Sequence, residues 1–226
     1  MIHIFIPIKD KSVRCPGKNE KLVSYTLNYI REFINDNNTS EELNVIILTN
    51  SHYFDSLKDQ YSFISEIWIE DDFNIEANNE LISIYKYIKY KEIYKFILLP
   101  VTQPCRSKEL LKNVIELMNN GVFYNYNLVT SYIERPNRMI FELENHNNVF
   151  DFKIKNINRK GSLCYTTYIC DGAIYASTEK FLSQCINSND IYKTFWNTQT
   201  KFIKNNAPLV DIDTIDELQK FITFFK

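Results

Sequence analysis

A group of cations lies near the start of the chain, directly after an apolar run at residues 2–8. These cations are Lys9, Lys11, Arg14 and Lys18, and the one acid among them is Asp10. A helix-like pattern begins behind them at Leu22. Ammonium and guanidinium groups bind phosphate oxygens, and the N–H groups at a helix start favour the same anions. The pattern therefore predicts a polyanion site, with a solvated basic turn as the alternative.

Two aspartates near the other end of the chain, Asp211 and Asp213, flank an apolar residue and precede a helical pattern that follows Thr214. If residues 209–213 form a strand, both carboxylates point to the same side, because side chains alternate along a strand. Mg²⁺ binds one or two carboxylates together with waters and substrate phosphates. The pair therefore predicts a magnesium site. Acids that complement the dipole at a helix start are the alternative.

The elements that must position these two segments alternate between strand and helix. Short apolar runs predict strands at 2–8, 44–50, 64–69 and 95–99. Helical spacing predicts helices between them. This alternation is typical of an α/β fold with a Rossmann-like, mostly parallel sheet and helices on both faces. The loops after Ile8, Leu48 and Leu99 are then expected at one edge of the sheet, where ligands bind in such folds.

The second half of the chain has a different residue pattern. A strand is expected at 128–133, and polar, Asn-rich segments with short β-like runs fill residues 135–168. We interpret 135–168 as a small β arm that is expected to contact a second subunit. Further strands are expected at 172–176 and 209–213. The length of 226 residues favours a single domain that carries this arm.

Composition argues against several function classes. The net charge of −2 gives no basic face for nucleic acid. No apolar run approaches the roughly 20 residues of a membrane span, and the start has no charged region of a signal peptide. We therefore expect a cytoplasmic protein without nucleic-acid or membrane partners. The five cysteines are scattered and the three histidines lie far apart, so neither a zinc site nor a disulfide framework is expected.

Four segments occur in the order of four motifs of a known enzyme family. Residues 6–19 read I-P-I-K-D-K-S-V-R-C-P-G-K-N, and residues 98–106 read L-L-P-V-T-Q-P-C-R. Residues 171–175 read D-G-A-I-Y, and residues 210–214 read V-D-I-D-T. They resemble A-R-x-x-S-K-x-x-P-x-K-N, L-L-Q-P-T-S-P-x-R, N-G-A-I-Y and I-D-I-D-T of the CMP-sialic acid synthetases, or acylneuraminate cytidylyltransferases. The resemblance extends over essentially the whole chain.

The resemblance implies transfer of CMP from the co-substrate CTP to a sialic-acid-like nonulosonate, with release of pyrophosphate and with Mg²⁺ as cofactor. It implies that the nucleotide binds to Ile8, Lys9, Asp10, Lys11, Ser12, Arg14, Lys18 and Asn19. Catalytic roles are implied for Lys18, Asp211 and Asp213, and both aspartates are the implied Mg²⁺ ligands. Residues expected near the sugar acid are Thr102, Gln103, Arg106, Asp171, Arg138 and Arg159. The two last arginines belong to the arm, which in this family reaches into the partner's site of a homodimer.

The chain departs from the family pattern at several positions. Lys9 replaces an arginine, so that a bidentate fork becomes a point charge, and Pro100 replaces the glutamine of L-L-Q-P-T. The motifs expected to bind the nucleotide and the metal match the family more closely than the motifs expected to bind the sugar. One alternative is therefore a nucleotidyltransferase with another acceptor, such as a Kdo-like or smaller sugar acid or a polyol phosphate. Two others are a non-catalytic nucleotide-binding relative and a glycosyltransferase, whose Asp-x-Asp motif generally lies mid-chain.

Overall fold

The computed structural model describes residues 1–10, 12, 14–37, 42–70, 80–137, 139–146, 149–157 and 165–225. Within 135–167 it describes the backbone of the strands. No helix among the described residues is long and apolar enough to cross a membrane.

The strands, in chain order, are β1 (Ile2–Ile8), β2 (Leu43–Thr49), β3 (Ile64–Ile69), β4 (Lys95–Leu98), β5 (Leu128–Asn137), β6 (Met139–His146), β7 (Val149–Ile157), β8 (Tyr165–Thr178) and β9 (Thr200–Lys204). The helices are α1 (Lys18–Asn37), α2 (Leu57–Gln60), α3 (Glu80–Lys91), α4 (Leu110–Asn119), α5 (Glu179–Ile186), α6 (Ile191–Trp196) and α7 (Ile215–Phe224). Short 3₁₀ helices lie at His52–Phe54 and Val122–Tyr124.

Seven strands form one sheet in the order β3-β2-β1-β4-β8-β5-β9. All its neighbouring strands are parallel except those that pair with β8, which is antiparallel to both β4 and β5. The chain returns from β5 to β8 through the β6–β7 hairpin instead of a crossover helix, and such a return gives an antiparallel pair. The structure confirms the predicted α/β fold with a mostly parallel sheet.

Helices cover both faces of the sheet because successive side chains of a strand point to opposite faces. Ile4 and Ile6 of β1 pack in a core with residues of α1, α4 and α7. Phe5, between them, packs in a second core with residues of α3, α5 and α6. All three side chains are fully buried. The central strand β1 is therefore fixed from both sides, and so is the place where its loop begins.

The loops after β1, β2 and β4 meet at one edge of the sheet, as the sequence predicts. The Asp10 N–H donates to Oδ1 of Asn50 at 2.9 Å, which joins the first loop to the second. The Leu99 N–H donates to the Phe5 carbonyl oxygen at 3.0 Å. Because these strands are parallel, their carboxyl ends lie side by side and present their loops together.

The prediction of a strand at 209–213 is wrong. These residues form irregular chain between β9 and α7, and β9 takes the edge position beside β5. Pro208 has no N–H to donate to a strand ladder. The Ile212 N–H instead donates to the Thr102 carbonyl oxygen at 3.0 Å. Ile212 is buried while its two acidic neighbours are more exposed, so the alternation that predicted a carboxylate pair still holds.

The β structure expected at 135–168 is present in the described residues of this range. β6 and β7 form an antiparallel hairpin, and the outer parts of β5 and β8 pair from Tyr132↔Cys170 to Asn137↔Tyr165. A contact of this arm with a second subunit and the single-domain organisation of the chain stay predictions.

Candidate functional site

Lys18 joins the two ends of the chain. It is the first residue of α1, and its Nζ donates to the Ile212 carbonyl oxygen at 2.8 Å and to Oδ1 of Asp213 at 3.1 Å. Gly17, directly before the helix, has φ +72°, a backbone conformation that glycine adopts without strain. The Lys18 side chain is only 8% exposed. A buried ammonium group needs a partner, and here the partner comes from the far end of the sequence.

Arg14 binds the same carboxylate through both of its terminal nitrogens. Nη1 lies 3.0 Å from Oδ2 of Asp213, and Nη2 donates to Oδ1 at 3.1 Å. The Arg14 side chain is 66% exposed and that of Asp213 is 39% exposed. This paired geometry is the strong form of an arginine–carboxylate contact. Asp213 therefore lies between one exposed and one buried cation.

The loop between β1 and α1 is held by its own polar groups. The Asn19 Nδ2 donates to the Lys9 carbonyl oxygen at 2.7 Å, and Asn19 itself is buried. The Cys15 N–H donates to Ser12 Oγ at 3.3 Å. Ile8 is fully buried, so a nucleotide could contact its backbone but not its side chain. Ser12 and Asn19, both predicted to bind nucleotide, shape the loop in this structure.

Lys9 lies beside an acid that the sequence analysis missed. Burial lowers the pKa of Lys9, and the charge of Glu80 opposes that effect. Glu80 is the first residue of α3; burial raises its pKa, and backbone hydrogen bonding and the charge of Lys9 lower it. The two charges therefore lie near enough to influence each other's pKa. The only sequence signal for Glu80 is an acid at a helix start, which is common in helices without any site.

Asp211 is oriented by the segment after β4. Gln103 Nε2 donates to Oδ1 of Asp211 at 2.8 Å, and Thr102 Oγ1 donates to Oε1 of Gln103 at 2.8 Å. Burial raises the pKa of Asp211, and the charge of Asp213 raises it further. Thr102 and Gln103 were predicted near the sugar acid, and the structure places them against the predicted metal ligand.

The carboxylate pair fits a magnesium ion that is shared with a phosphate ligand. Among the described residues, no group of three or more His, Cys, Asp or Glu side chains is arranged to hold a metal ion. The charge of Asp213 disfavours the charged form of Asp211, which a divalent cation would relieve. Mg²⁺ commonly takes one or two carboxylates and completes its shell with waters and substrate phosphates. The donor set thus suits this mode of binding.

Arg106 lies in a network beneath the site. Its Nε donates to the Ala173 carbonyl oxygen at 2.8 Å, Nη2 to the Pro100 carbonyl oxygen at 2.6 Å, and Nη1 to Thr26 Oγ1 at 3.1 Å. The side chain is largely buried, and this burial lowers the pKa of Arg106 to about 10. The guanidinium therefore links α1, the loop after β4 and β8. Its role as a sugar-acid ligand stays a prediction.

Asp171 lies where β8 bulges out of its ladder with β5. Between the pairs Thr130↔Tyr175 and Tyr132↔Cys170, residues 171–174 of β8 stand opposite Ser131 alone. The Ser131 hydroxyl donates to Asp171 Oδ1, and the Ala173 N–H donates to the same oxygen at 3.3 Å. Bulges often re-aim a side chain near a functional site. Here the bulge turns the carboxylate inward, where it is buried.

Asn205, which the sequence analysis did not single out, completes this network. Its Nδ2 donates to Asp171 Oδ2 at 2.6 Å, and its Oδ1 accepts from the Ser107 N–H at 2.8 Å and from the Ala207 N–H at 3.2 Å. Asn205 is almost fully buried. Its bond to Ala207 two residues on is a local asparagine turn, and the Asn-Asn-Ala-Pro sequence at 205–208 is a signal for such a turn.

The structure brings together four of the predicted site residues, Arg14, Lys18, Asp211 and Asp213, with Thr102 and Gln103 against them. Arg106 and Asp171 lie in the adjoining buried network. Lys11, Arg138 and Arg159 lie outside the described residues, so their predicted roles stay predictions.

No family model matches the chain, and no curated protein matches it. Many solved structures do. HddC from Yersinia pseudotuberculosis is 17% identical over 100% of both chains, with a TM-score of 0.60. A CMP:2-keto-3-deoxy-manno-octonic acid synthetase complexed with CTP is 13% identical over 100% of this chain and 98% of its own, with a TM-score of 0.61. The inositol-1-phosphate CTP transferase from T. maritima is 14% identical over 96% and 91%, with a TM-score of 0.56. At these identities the likeness shows that the chain shares the fold of these proteins.

Proposed function

We propose that the protein transfers CMP from CTP to a sugar acid of the nonulosonate type and releases pyrophosphate. The observation that carries this proposal is the 3.1 Å contact between Lys18 Nζ and Asp213 Oδ1. It joins a cationic loop to a carboxylate pair, and a nucleoside triphosphate that carries a metal ion needs both.

The cations of the first loop and of the start of α1 are proposed to hold the triphosphate. Arg14 and Lys18 both contact Asp213, and Lys9 lies where the loop after β1 begins. We assign them to the β- and γ-phosphates, where they stabilise the negative charge of the leaving pyrophosphate. Lys11 and Ser12 are proposed as further phosphate contacts. Fixed cations aimed at developing charge are a principal source of rate acceleration in such reactions.

Asp211 and Asp213 are the proposed magnesium ligands. When bound, Mg²⁺ would neutralise charge at the α-phosphate and at the attacking oxygen. Gln103 holds one carboxylate oxygen of Asp211 and thereby fixes its orientation. Asp213 is fixed from the other side, since its N–H donates to Glu217 at the capped start of α7.

The choice of CTP and of a sugar acid draws on two sources. One similar solved structure, named as an octonic acid synthetase, is complexed with CTP. The four sequence motifs resemble those of enzymes that activate sialic acids. We propose a homodimer in which the arm of one subunit supplies Arg138 and Arg159 to the carboxylate of the sugar in its partner's site.

A polyol phosphate is the second candidate acceptor. One solved structure with this fold is named an inositol-1-phosphate CTP transferase. Arg106, the cation predicted to border a sugar carboxylate, already donates to three protein acceptors. Both observations leave room for an acceptor other than a sugar acid.

The test is pyrophosphate release in Mg²⁺ with each of the four nucleoside triphosphates, against nonulosonic acids, Kdo and inositol 1-phosphate. We expect turnover with CTP and a nonulosonic acid. Asp211→Ala should reduce it by at least about a hundredfold, as the loss of one principal transition-state contact does. Asp216→Ala is the matched control, because Asp216 is an exposed acid in the same segment that pairs with Lys220. CTP binding without turnover of any acceptor would contradict the proposal.

A further inference from the structure

Asp213 is contacted by two cations of the described residues, Arg14 and Lys18. Arg14 binds it through two nitrogens at 3.0 and 3.1 Å, and Lys18 contacts it at 3.1 Å. A guanidinium fork binds a phosphate in the same bidentate manner as a carboxylate. A carboxylate of the protein therefore pairs with the cations that a triphosphate would need.

We infer that Asp213 is a placeholder for the triphosphate. It holds Arg14 and Lys18 until a complex of metal and triphosphate arrives, and it then exchanges these cations for the metal ion. The site consequently takes the metal–triphosphate complex as a unit and takes either component alone much more weakly. This inference rests on the proposed function and adds the form in which the nucleotide is bound.

Burial of Lys18 makes each half-loaded state unfavourable. With a metal ion alone on Asp213, the nearly buried ammonium would lose its carboxylate and face a second cation. With a triphosphate alone on Arg14 and Lys18, the Asp213 carboxylate would stand unpaired beside phosphate oxygens. A charge left without a partner in a partly desolvated site is costly. When both components bind, every one of these charges has a partner.

The other acids around Asp213 cannot take over this role. The Glu217 carboxylate accepts hydrogen bonds from the Asp213 and Thr214 N–H groups at 2.9 and 2.8 Å and closes the capping box of α7. Asp211 accepts from the Gln103 amide, and no hydrogen bond or ion pair in the described chain joins it to Arg14 or Lys18. Asp211 therefore provides a control with the same charge, in the same segment, without the contact to these cations.

The first arm of the test uses inorganic tripolyphosphate as the probe, in EDTA, by calorimetry. Asp213→Asn should bind it about tenfold more tightly than the wild type, because the competing carboxylate is gone. Asp211→Asn removes an equal charge and should gain less than about threefold. In an Arg14→Gln background the gain from Asp213→Asn should fall by at least about threefold, since one of the two exchanged cations is absent.

The second arm measures the reciprocal effect with Mn²⁺ alone, by electron paramagnetic resonance. Mn²⁺ shares the preference of Mg²⁺ for carboxylate oxygens. Arg14→Gln should bind Mn²⁺ several-fold more tightly than the wild type, because Asp213 no longer has to release the guanidinium. Lys220→Gln is the control: it removes a cation paired with Asp216 in α7 and should leave Mn²⁺ affinity unchanged.

The outcomes separate the placeholder from the proposed function. If no protein of the set binds tripolyphosphate, the proposed phosphate site is contradicted, and so is the role of Asp213 as a placeholder. If tripolyphosphate binds but Asp213→Asn gains no more than Asp211→Asn, the placeholder alone is overturned. The same holds if Arg14→Gln leaves Mn²⁺ affinity at the level of Lys220→Gln.

Discussion

Asp211 carries a negative charge that disfavours the fold when no cation is bound. Burial raises its pKa, and Asp213 raises it further. A raised pKa means that the folded protein holds this proton more tightly than the unfolded chain does, so that ionisation lowers stability. Keeping such a charge is typical of functional sites, where activity and stability compete.

We therefore expect Asp211→Asn to raise the free energy of unfolding near neutral pH. The gain should stay below about 1 kcal/mol, since the side chain is partly exposed and water screens the charge. It should vanish below about pH 4, the ordinary aspartate pKa, because there the wild-type group is protonated in both folded and unfolded states.

Urea unfolding over a pH series measures this effect. Asp216→Asn, which removes an exposed carboxylate paired with Lys220, should give no gain near neutral pH. A gain at Asp211 that persists unchanged at acidic pH would show that its charge is not the cause.

Arg106 is expected to stabilise the fold. Its guanidinium donates to two carbonyl oxygens and to the Thr26 hydroxyl, which Arg106→Leu would leave without this donor. We expect a loss of about 2–4 kcal/mol in the free energy of unfolding, as for several buried hydrogen bonds to a charged group. Urea unfolding measures it. Arg31→Leu, at an exposed arginine of α1 that donates to Asn28, should cost far less. Unchanged stability with weakened acceptor binding would instead make Arg106 a sugar ligand.

The bulge in β8 determines where Asp171 lies beneath the candidate site. Gly172 lies in the bulge with φ +65°, and a Cβ built on it would lie 2.6 Å from the Tyr175 hydroxyl oxygen. Tyr175 is not free to move aside, because its ring packs edge-on against Phe195 and Trp196. Only glycine fits this position without strain, and the turn it makes directs Asp171 inward.

Gly172→Ala should therefore cost more stability than Gly17→Ala. Both glycines have positive φ, which costs an alanine about 1–2 kcal/mol. A Cβ on Gly17 would meet no atom within 4 Å, so that this variant measures the backbone cost alone. We expect Gly172→Ala to lose about 1–3 kcal/mol more, as overpacking does. Thermal or urea unfolding compares them, and equal losses would mean that Tyr175 moves aside cheaply.

The strands that the sequence predicted correctly are those that local pattern determines. The apolar runs at 44–50, 64–69 and 95–99 form β2, β3 and β4, because strands buried on both faces need continuous apolar side chains. The segment at 209–213 also has apolar residues, Leu209, Val210 and Ile212, yet its neighbours in space decide its structure. The antiparallel direction of β8 likewise depends on long-range pairing, which no local pattern contains.

The site residues divide in the same way. The structure joins Lys18 and Asp213, which the sequence indicated as parts of a basic loop and of an acid pair, while their roles in binding stay predictions. Arg106 and Asp171 carry equally strong signals, and the structure places both in a buried network. A charged side chain in the sequence does not reveal whether protein groups or a ligand will satisfy it. Asn205 is a common polar residue without a strong signal, yet it joins the segment after β9 to the loop after β4 and to β8.

The topology brings segments that are distant in sequence to the same edge of the sheet. The central position of β1 in the sheet puts its loop beside those of β2 and β4. The segment after β9 crosses to the loop of β4 and delivers Asp211 and Asp213. This arrangement follows from the fold, and one fold can carry many unrelated functions. We therefore expect these converging residues to bind one nucleotide together.

Calorimetric titration of CTP in Mg²⁺ into the wild type, Lys18→Gln and Lys21→Gln tests that claim most directly. Lys21 is an exposed lysine of the same helix and serves as the control, and thermal unfolding of each variant confirms that it is folded. We predict that the wild type binds CTP, that Lys18→Gln binds it at least about thirtyfold more weakly, and that Lys21→Gln stays within about twofold. Failure of the wild type to bind CTP, or equal affinity in Lys18→Gln, would contradict the account.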